Sequence, residues 1–258
     1  MLRSRIIPCL LVHNGGLVKT VNFRSPKYVG DPINAVKIFN EKEVDELMVI
    51  DIDATAQGKE PNLQLIENLA AECRMPLCYG GGVKTARQAE KIISLGVEKV
   101  ALSSALVENP SLAGAISTAV GRQSVVCVLD VKKSMFGKYS VVVNNSQTNT
   151  HKDPVEVAKT IAAFGIGELV VNSIDRDGMM TGYDLTLADK MRDAVDVPIT
   201  ILGGASSLED INNLIQRFTI IGAAAGSLFV FKGKYRAVLI NYPKVDLRRP
   251  GTNPRLAA

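Results

Sequence analysis

The protein has 258 residues, of which 47% are hydrophobic and 22% are charged, a balance typical of a globular domain. Its net charge of +4 is too small to indicate a nucleic-acid partner. No apolar run reaches the roughly 18 residues that a membrane span needs, so we predict no membrane partner. The chain has four cysteines, none in CxxC spacing, and two histidines, so we predict no metal site and no cofactor. Free thiols are typical of a reducing compartment, so we predict a cytoplasmic location.

Short apolar runs alternate with longer amphipathic segments along the whole chain. Eight runs have the length of buried strands: Ile6–Val12, Glu46–Ile52, Pro76–Tyr79, Lys99–Ser103, Ser124–Val131, Glu168–Asn172, Val197–Leu202 and Thr219–Ala225. The segments between them have a helical pattern, as in Asn62–Glu72 and Ala86–Leu95. Eight strand–helix units predict an α/β fold, a single (β/α)8 TIM barrel, with functional groups at the C-terminal ends of its strands.

An internal repeat divides the predicted barrel into two halves. Identical residues recur 122 positions apart, beginning with Glu46 and Glu168 and continuing with Ile52/Ile174, Asp53/Asp175, Leu63/Leu185, Pro76/Pro198, Gly81/Gly203, Gly82/Gly204 and Leu106/Leu228. A constant offset over some sixty residues predicts two fused half-barrels, over about residues 1–122 and 123–243. The polar stretch from about 244 to 258, with Pro250 and Pro254, is predicted to be a loose tail.

Glycine-rich turns in both halves predict a pair of phosphate-binding sites. Each consists of two glycines after one strand and two small residues after the next: Gly81, Gly82, Ser103 and Ser104 in the first half, and Gly203, Gly204, Gly226 and Ser227 in the second. Glycine lets backbone N–H groups approach an anion closely, although such glycines can also serve tight turns alone. Two symmetry-related copies favour a small ligand with a phosphate at each end.

Three motifs carry a family resemblance over about residues 2–235. Arg5-Ile-Ile-Pro-Cys-Leu, Tyr79-Gly-Gly-Gly-Val and Asn172-Ser-Ile-Asp-Arg-Asp-Gly, followed by Tyr183-Asp184, resemble motifs of the cyclase subunit of imidazole glycerol phosphate synthase. In that family the barrel receives ammonia from a glutaminase docked at its N-terminal face. It uses the ammonia to cleave and cyclise a bisphosphorylated ribonucleotide. The resemblance adds Asp177 and Gly178 to the predicted phosphate-binding residues.

The resemblance implies catalytic roles for Asp130 and Lys19. Asp130 matches the family's general acid, a carboxylate that exchanges a proton with the substrate. The partner aspartate should end strand 1, but this chain has Leu11 there, and leucine cannot take or give a proton. Other positions of this face also depart from the family: Ser103 replaces Asn, Asn172 replaces Thr, Leu202 replaces Ser, and the loop His13–Gly16 differs.

Charged residues at the opposite ends of the strands also match the family. They are Arg5, Glu46, Lys99 and Glu168, which resemble the ring that gates an ammonia tunnel on the barrel axis. Stabilising ion pairs that close the barrel floor are the alternative interpretation. Glu98, next to Lys99, occupies the position of an acidic residue that signals to the glutaminase.

Three functions remain open from the sequence. The one that we favour is a repurposed paralogue that takes ammonia from a glutaminase and supports amidino-group formation on a nucleotide sugar for lipopolysaccharide. An ATP-dependent sugar amidotransferase would then be a second partner at the C-terminal face. The alternative is a genuine cyclase of histidine biosynthesis, which the phosphate sites, Lys19 and Asp130 favour. The third is the related barrel isomerase that acts one step earlier in histidine biosynthesis. That enzyme also needs an aspartate at the end of strand 1, so Leu11 is equally unfavourable for it.

Overall fold

Eight parallel strands follow one another in chain order and close into a barrel. In the computed structural model, which describes residues 3–242, they are β1 (Arg5–His13), β2 (Leu47–Asp51), β3 (Leu77–Gly80), β4 (Lys99–Leu102), β5 (Val125–Lys133), β6 (Glu168–Ser173), β7 (Ile199–Leu202) and β8 (Gly222–Ala225). Each strand pairs with the next, and β8 pairs with β1, where Arg5 lies opposite Gly222. The predicted (β/α)8 barrel is therefore confirmed, while the predicted tail lies outside the described residues.

Helices between the strands cover the outside of the barrel. The longer ones are α1 (Pro32–Glu41), α2 (Leu63–Glu72), α3 (Ala86–Ser94), α4 (Ser111–Val120), α5 (Pro154–Ala163), α6 (Leu185–Arg192) and α7 (Leu208–Phe218). Short helical turns at Ile52–Ala56, Ser104–Glu108, Arg122–Ser124 and Ile174–Arg176 join them to the strands. Within the described part of the chain, no helix is long and apolar enough to cross a membrane.

The same capping residues begin corresponding helices in the two halves. Thr85 starts α3 and Ser207 starts α7, each with a capping box in which the hydroxyl accepts from the third residue of the helix. The starts of α1 and α5 likewise share an Asp–Pro pair, Asp31-Pro32 and Asp153-Pro154. Hydroxyl and carboxylate oxygens satisfy N–H groups that have no partner inside the helix. The caps therefore follow the 122-residue repeat seen in the sequence.

The eighth unit is shorter than the other seven within residues 3–242. After β8 comes the four-residue helix Ser227–Val230, followed by a small hairpin of Phe231–Lys232 and Ala237–Val238. The chain then returns along the barrel, and the Tyr242 hydroxyl donates to the carbonyl of Ile6 at 3.1 Å. Tyr242 is buried there, with its ring centroid 5.5 Å from that of Phe229.

Two hairpins that the sequence analysis missed rise from the C-terminal end of the barrel. The first hairpin consists of Gly16–Val21 and Arg24–Gly30 and extends β1. The second consists of Tyr139–Val143 and Thr148–Asn149 and extends β5, with Val142 opposite Asp130. Both contain β-branched runs, a signal that could have found them. They form walls around the mouth of the barrel.

The barrel interior is apolar and lined by small and medium side chains. Its buried residues are Ile7, Cys9, Met48, Cys78, Ala101, Val126, Val170, Leu202 and Ala224. A separate and larger core fills the space between the strands and the helices, with Phe39, Ile66 and Ile92 among its fully buried members. The interior core separates two polar regions, one at each end of the barrel axis.

Candidate active site

A pocket opens at the C-terminal end of the barrel and brings together residues from several strands. Leu11, Ile50, Val128 and Leu202 line it with apolar groups, and Asp130 lies among them. Leu11 pairs with Ile50 on the neighbouring strand, and both pack on the interior core. The departures from the family at positions 11 and 202 therefore make the centre of this pocket apolar.

Asp130 is held by the two polar side chains beside it. Asn172 donates from Nδ2 to Oδ1 of Asp130 at 2.9 Å, and the Ser103 hydroxyl lies 3.4 Å from Oδ2. Burial raises the pKa of Asp130 to about 6, although the hydrogen bonds from Asn172 and Ser103 act in the opposite direction. A carboxyl group with a pKa near 6 can give and take a proton close to neutral pH.

Lys19 projects from the first hairpin and forms a buried ion pair with Asp177. Its Nζ lies 2.7 Å from Oδ1 of Asp177, and the Thr20 hydroxyl lies 3.2 Å from the other carboxylate oxygen. Both charged side chains are less than a tenth exposed. The Asp177 carboxylate thus contacts Lys19 directly, and its phosphate-binding role stays a prediction.

The first predicted phosphate site is a polar pocket beside the central one. Gly81, Gly82, Ser103 and Ser104 all line it, and Lys84 contributes a positive charge. The backbone of Gly82 has a φ of +75°, and a Cβ there would lie 2.8 Å from the carbonyl oxygen of Lys59, so only glycine fits. The N–H of Gly82 donates to the Thr55 hydroxyl at 3.2 Å. A phosphate in this pocket would therefore be bound by the other backbone N–H groups.

The second predicted phosphate site is smaller and shares a lysine with the central pocket. Its lining includes all the residues predicted for it, together with Lys19: Asp177, Gly178, Gly203, Gly204, Gly226 and Ser227. Among the described residues, the buried hydroxyl of Ser227 has no hydrogen-bond partner. A buried hydroxyl without a partner is costly, so an anion bound here would satisfy it.

The predicted charged ring closes the opposite, N-terminal end of the barrel. Arg5 contacts Glu46 at 2.5 Å and Glu168 at 2.8 Å. Lys99 contacts the same two carboxylates, each at 2.8 Å. Two cations and two carboxylates thus form a closed cycle in which every charge has two partners.

The electrostatics of the ring favour the charged forms of Glu168 and Lys99. Burial alone would raise the pKa of Glu168, but the attraction of Arg5 and Lys99 outweighs it and lowers that pKa to about 2. The same carboxylates outweigh burial at Lys99 and raise its pKa. Thr200, which the sequence analysis missed, donates to Glu168 at 2.5 Å. Thr200 lies two residues before Leu202 on β7, so the alternation of side chains along a strand predicts that it also faces the barrel axis.

Glu98 lies beside the ring on the exposed surface. Its carboxylate accepts from the backbone N–H of Leu77 at 2.6 Å, at the start of β3. This bond ties Glu98 to the barrel floor next to Lys99. The side chain is therefore within the surface that a partner at the N-terminal face would contact.

A histidine–aspartate pair at the C-terminal face was also missed. Nδ1 of His13 lies 2.7 Å from Oδ1 of Asp53, and the N–H of Asn14 donates to Oδ2 at 2.7 Å. Asp53 lies in the short helix that follows β2. The signal in the sequence is that His13 follows Leu11 by two residues, which puts both side chains on one face of β1.

Comparison with known proteins agrees with this architecture. A family model described as "Histidine biosynthesis protein" matches residues 5–236. A relative from Vibrio vulnificus, provisionally named an imidazole glycerol phosphate synthase subunit, is 58% identical over 94% of each chain. A Pseudomonas aeruginosa relative with the same kind of provisional name is 51% identical over 95% of this chain and 98% of its own. Imidazole glycerol phosphate synthase subunit HisF of Bacillus cereus is 36% identical over 99% of this chain and 100% of its own.

The chain belongs to the HisF-type imidazole glycerol phosphate synthase subunit family. The resemblance that the motifs indicated is thereby confirmed. For a HisF-type subunit, the site has a mixed character: Lys19, Asp130 and both glycine-rich pockets are in place, whereas Leu11 and Leu202 are apolar. The functional roles assigned to individual residues stay predictions, and the structure locates each of them.

Proposed function

We propose that this chain is the synthase-type subunit of a glutamine amidotransferase complex and delivers ammonia to an acceptor other than the family's ribonucleotide. Ammonia would come from a glutaminase docked at the N-terminal face and travel along the barrel axis. The observation that carries the proposal is the contrast between a complete ring at one end and Leu11 at the other. The chain would thus keep the supply of ammonia while its original chemistry is weakened.

The ring favours a docked partner over a simple barrel plug. Burying charges costs free energy unless each is well paired, and apolar residues could close the floor without that cost. Arg5 and Lys99 are about a fifth exposed, whereas Glu46 and Glu168 are almost fully buried. The cations are therefore the members that a partner can reach and displace, which would open a passage for a small polar molecule.

The barrel interior between the ring and the pocket suits neutral ammonia. Its side chains are apolar, and Ala101 and Ala224 are among the smallest. A charged ammonium ion would lose its hydration there without any compensating charge. Such an interior would admit the neutral form released by a glutaminase and exclude the ion from bulk solvent.

The centre of the pocket supports a changed acceptor. A general base contributes typically 10²- to 10⁴-fold to a rate, so cyclisation with Leu11 should be slow. The relatives with provisional names are 51–58% identical to this chain, against 36% for HisF of Bacillus cereus. The chain thus resembles the provisionally named group more strongly, which fits a paralogue.

We further propose a nucleotide sugar as the acceptor, with an ATP-dependent amidotransferase that activates its acetamido group. The turn between β5 and the strand Tyr139–Val143 supports a partner at this face. Met135 and Phe136 are each 97% exposed, and Lys132, Lys133 and Lys138 flank them. Adjacent exposed apolar side chains with a basic rim are typical of a contact with an acidic protein surface. The product would enter lipopolysaccharide synthesis.

A genuine cyclase of histidine biosynthesis is the second candidate. The buried pair of Lys19 and Asp177, the raised pKa of Asp130 and the two phosphate pockets favour it. Complementation of a histidine auxotroph by this chain separates the two proposals. Growth at the rate given by an active cyclase would favour the second candidate and contradict the first.

Lys99→Ala in the reconstituted complex tests the delivery of ammonia. Because Lys99 joins both carboxylates of the ring, its loss should uncouple the two active sites. We expect glutamine-dependent product formation to fall by about tenfold, within the range of typical coupling between sites. Product formation from added ammonia should change by less than about twofold, because that route bypasses the partner.

Lys159→Ala is the matched control, since Lys159 forms an exposed ion pair with Glu156 on the outer surface. A nucleotide sugar and the bisphosphorylated ribonucleotide are supplied in parallel as acceptors. A stable interface with the glutaminase should bury more than about 1,000 Å². Equal losses from both nitrogen sources, or no glutaminase binding, would leave the ring as a structural plug.

A further inference from the structure

Of the carboxylates that line the pocket, Asp130 is the one with neither a charged partner nor a helix-capping role. Position 11 supplies no second proton acceptor, because it is a leucine. Within the described lining, Asp51 caps the short helix after β2 by accepting the N–H groups of Asp53 and Ala54. Asp177 is engaged by Lys19. That leaves Asp130 as the carboxylate available to a ligand. Chemistry that needs an acid and a base together therefore requires another group at this face.

We propose that His13, oriented by Asp53, is the proton acceptor of this face in place of the missing carboxylate. His13 lies two residues beyond Leu11, on the same side of β1 and roughly 6.6 Å further towards the open end. The burial pattern agrees, since Val12 is buried against the outer core while Leu11 and His13 are both partly exposed. His13 thus serves a part of the ligand nearer the mouth of the barrel than Leu11.

The hydrogen bonds of His13 assign its tautomer. Asp53 accepts at 2.7 Å from Nδ1, which therefore carries the proton. Nε2 lies 3.1 Å from Nδ2 of the Asn14 side chain, an amide that donates. In the neutral imidazole with its proton on Nδ1, Nε2 is the nitrogen that can accept a proton, and Asp53 holds the ring in that tautomer. The Asn14 side chain is exposed, so a ligand can replace it.

The reaction rests on the ammonia delivery proposed above. The nitrogen of ammonia forms a bond to a carbonyl-type carbon of the acceptor with its lone pair. The π electrons of that carbon move onto its own oxygen. The nitrogen of the adduct is then positively charged, and Nε2 of His13 accepts one of its protons. Asp53 is the positioning residue and His13 the catalytic one.

The test compares His13→Asn with the matched control His151→Asn. The asparagine amide at position 13 keeps a donor for Asp53, so the contact between β1 and the short helix survives while the proton acceptor is lost. His151 is the other histidine of the chain, is exposed, and has a φ of 57° that asparagine tolerates. His151→Asn therefore controls for the exchange of an exposed histidine, and the retained Asp53 contact controls for local structure in His13→Asn.

Ammonia-dependent turnover of the bisphosphorylated ribonucleotide is measured over long incubations. We expect slow turnover by the unaltered protein, a roughly 100-fold lower kcat with unchanged KM in His13→Asn, and no change in His151→Asn. Nitrogen NMR should show the Nδ1–H tautomer of His13, with a mixture in Asp53→Asn. Equal turnover with and without His13 overturns the proposal. Turnover by Leu11→Asp with none by the unaltered protein also overturns it, because His13 then does not replace the carboxylate.

If neither the unaltered protein nor Leu11→Asp acts on the ribonucleotide, acylation by diethyl pyrocarbonate tests the proposal instead. The His151→Asn protein is used, because His13 is then its single histidine. A bisphosphorylated ligand at saturation should slow acylation at least tenfold, since it would cover Nε2. Unslowed acylation overturns the proposal. Glutaminase binding and the Lys99→Ala result do not depend on His13, so this inference and the proposed function can fail separately.

Discussion

The two ends of the barrel are built on different principles. At the N-terminal end, each of the four ring charges contacts two others, and the carboxylates are buried. At the C-terminal end, the polar residues form separate groups: Asp130 with Asn172, and Lys19 with Asp177. A closed cycle loses its balance when one member is removed, whereas separate groups tolerate a change such as Leu11. The ion pairs at the N-terminal end therefore depend on one another, whereas single residues at the C-terminal end can change independently.

The largest expected effect comes from restoring the carboxylate at the mouth. Leu11→Asp should raise ammonia-dependent cyclisation of the bisphosphorylated ribonucleotide by about 100-fold, the lower end of what a general base contributes. Leu202 and Ser103 limit the gain, since they too differ from the family. Leu11→Asn is the matched control, because it has the same shape as Asp but no titratable proton. A gain in both variants, or in neither, would show that position 11 does not limit the reaction.

At the floor, Glu168→Gln should destabilise the protein by about 3–5 kcal/mol, because it leaves Arg5 and Lys99 with too little negative charge in a buried cluster. Urea unfolding measures this free energy. Asp189→Asn is the control, since Asp189 pairs with Arg217 at 2.7 Å on the exposed surface. Such a pair contributes at most about 1 kcal/mol. Similar losses in both variants would contradict the cooperative ring.

The same ring predicts a pH dependence of stability. The pKa of Glu168 is lowered from 4.5 to about 2, so the folded state holds its carboxylate ionised where the unfolded chain would protonate it. The resulting stabilisation is fully present above pH 4.5 and is lost as the pH falls through about 2. Glu168→Gln should lack this part of the dependence, as measured by unfolding between pH 2 and 6.

The mouth predicts a smaller, local effect. Asn172→Ala removes the donor that stabilises the ionised form of Asp130, so the pKa of Asp130 should rise above its value of about 6. As a general acid, Asp130 is protonated below its pKa and loses its proton as the pH rises, so the alkaline limb of the activity profile should move to higher pH. Carbon NMR of the carboxyl group measures the shift. Ser103→Ala, which removes the longer 3.4 Å contact, should shift it less.

The smallest effects should come from the turns around the mouth. Thr85→Ala and Ser207→Ala each remove a 3.2 Å cap from a helix that begins at this end. Loss of such a cap costs about 1 kcal/mol, so both variants should unfold at slightly lower urea, by equal amounts. Thr160→Ala, whose hydroxyl donates to a carbonyl inside its own helix, is the control with no cap to lose. Unequal losses of stability would show that corresponding caps in the two halves do not contribute equally.

Several site residues could be predicted from the sequence because they are fixed by strand position. Asp130, Lys99 and Glu168 are on or next to apolar runs, and a parallel barrel must bring such positions to one end or the other. Asn172 could be located but its bond to Asp130 could not, since that depends on the register of β5 against β6. The pairing of Lys19 with Asp177 was also hidden, because 158 residues separate them and a hairpin carries one of them.

The sequence by itself determined the barrel, its repeat and the ends to which the charged and glycine-rich residues belong, because strand periodicity and a constant offset are local properties. Only the tertiary structure decided which charges pair. It tied Asp177 to Lys19, closed the ring into a cycle with Thr200 on Glu168, and set His13 on Asp53 two residues beyond Leu11. Those contacts follow from barrel closure, which brings side chains remote in sequence to within hydrogen-bond distance around a common axis.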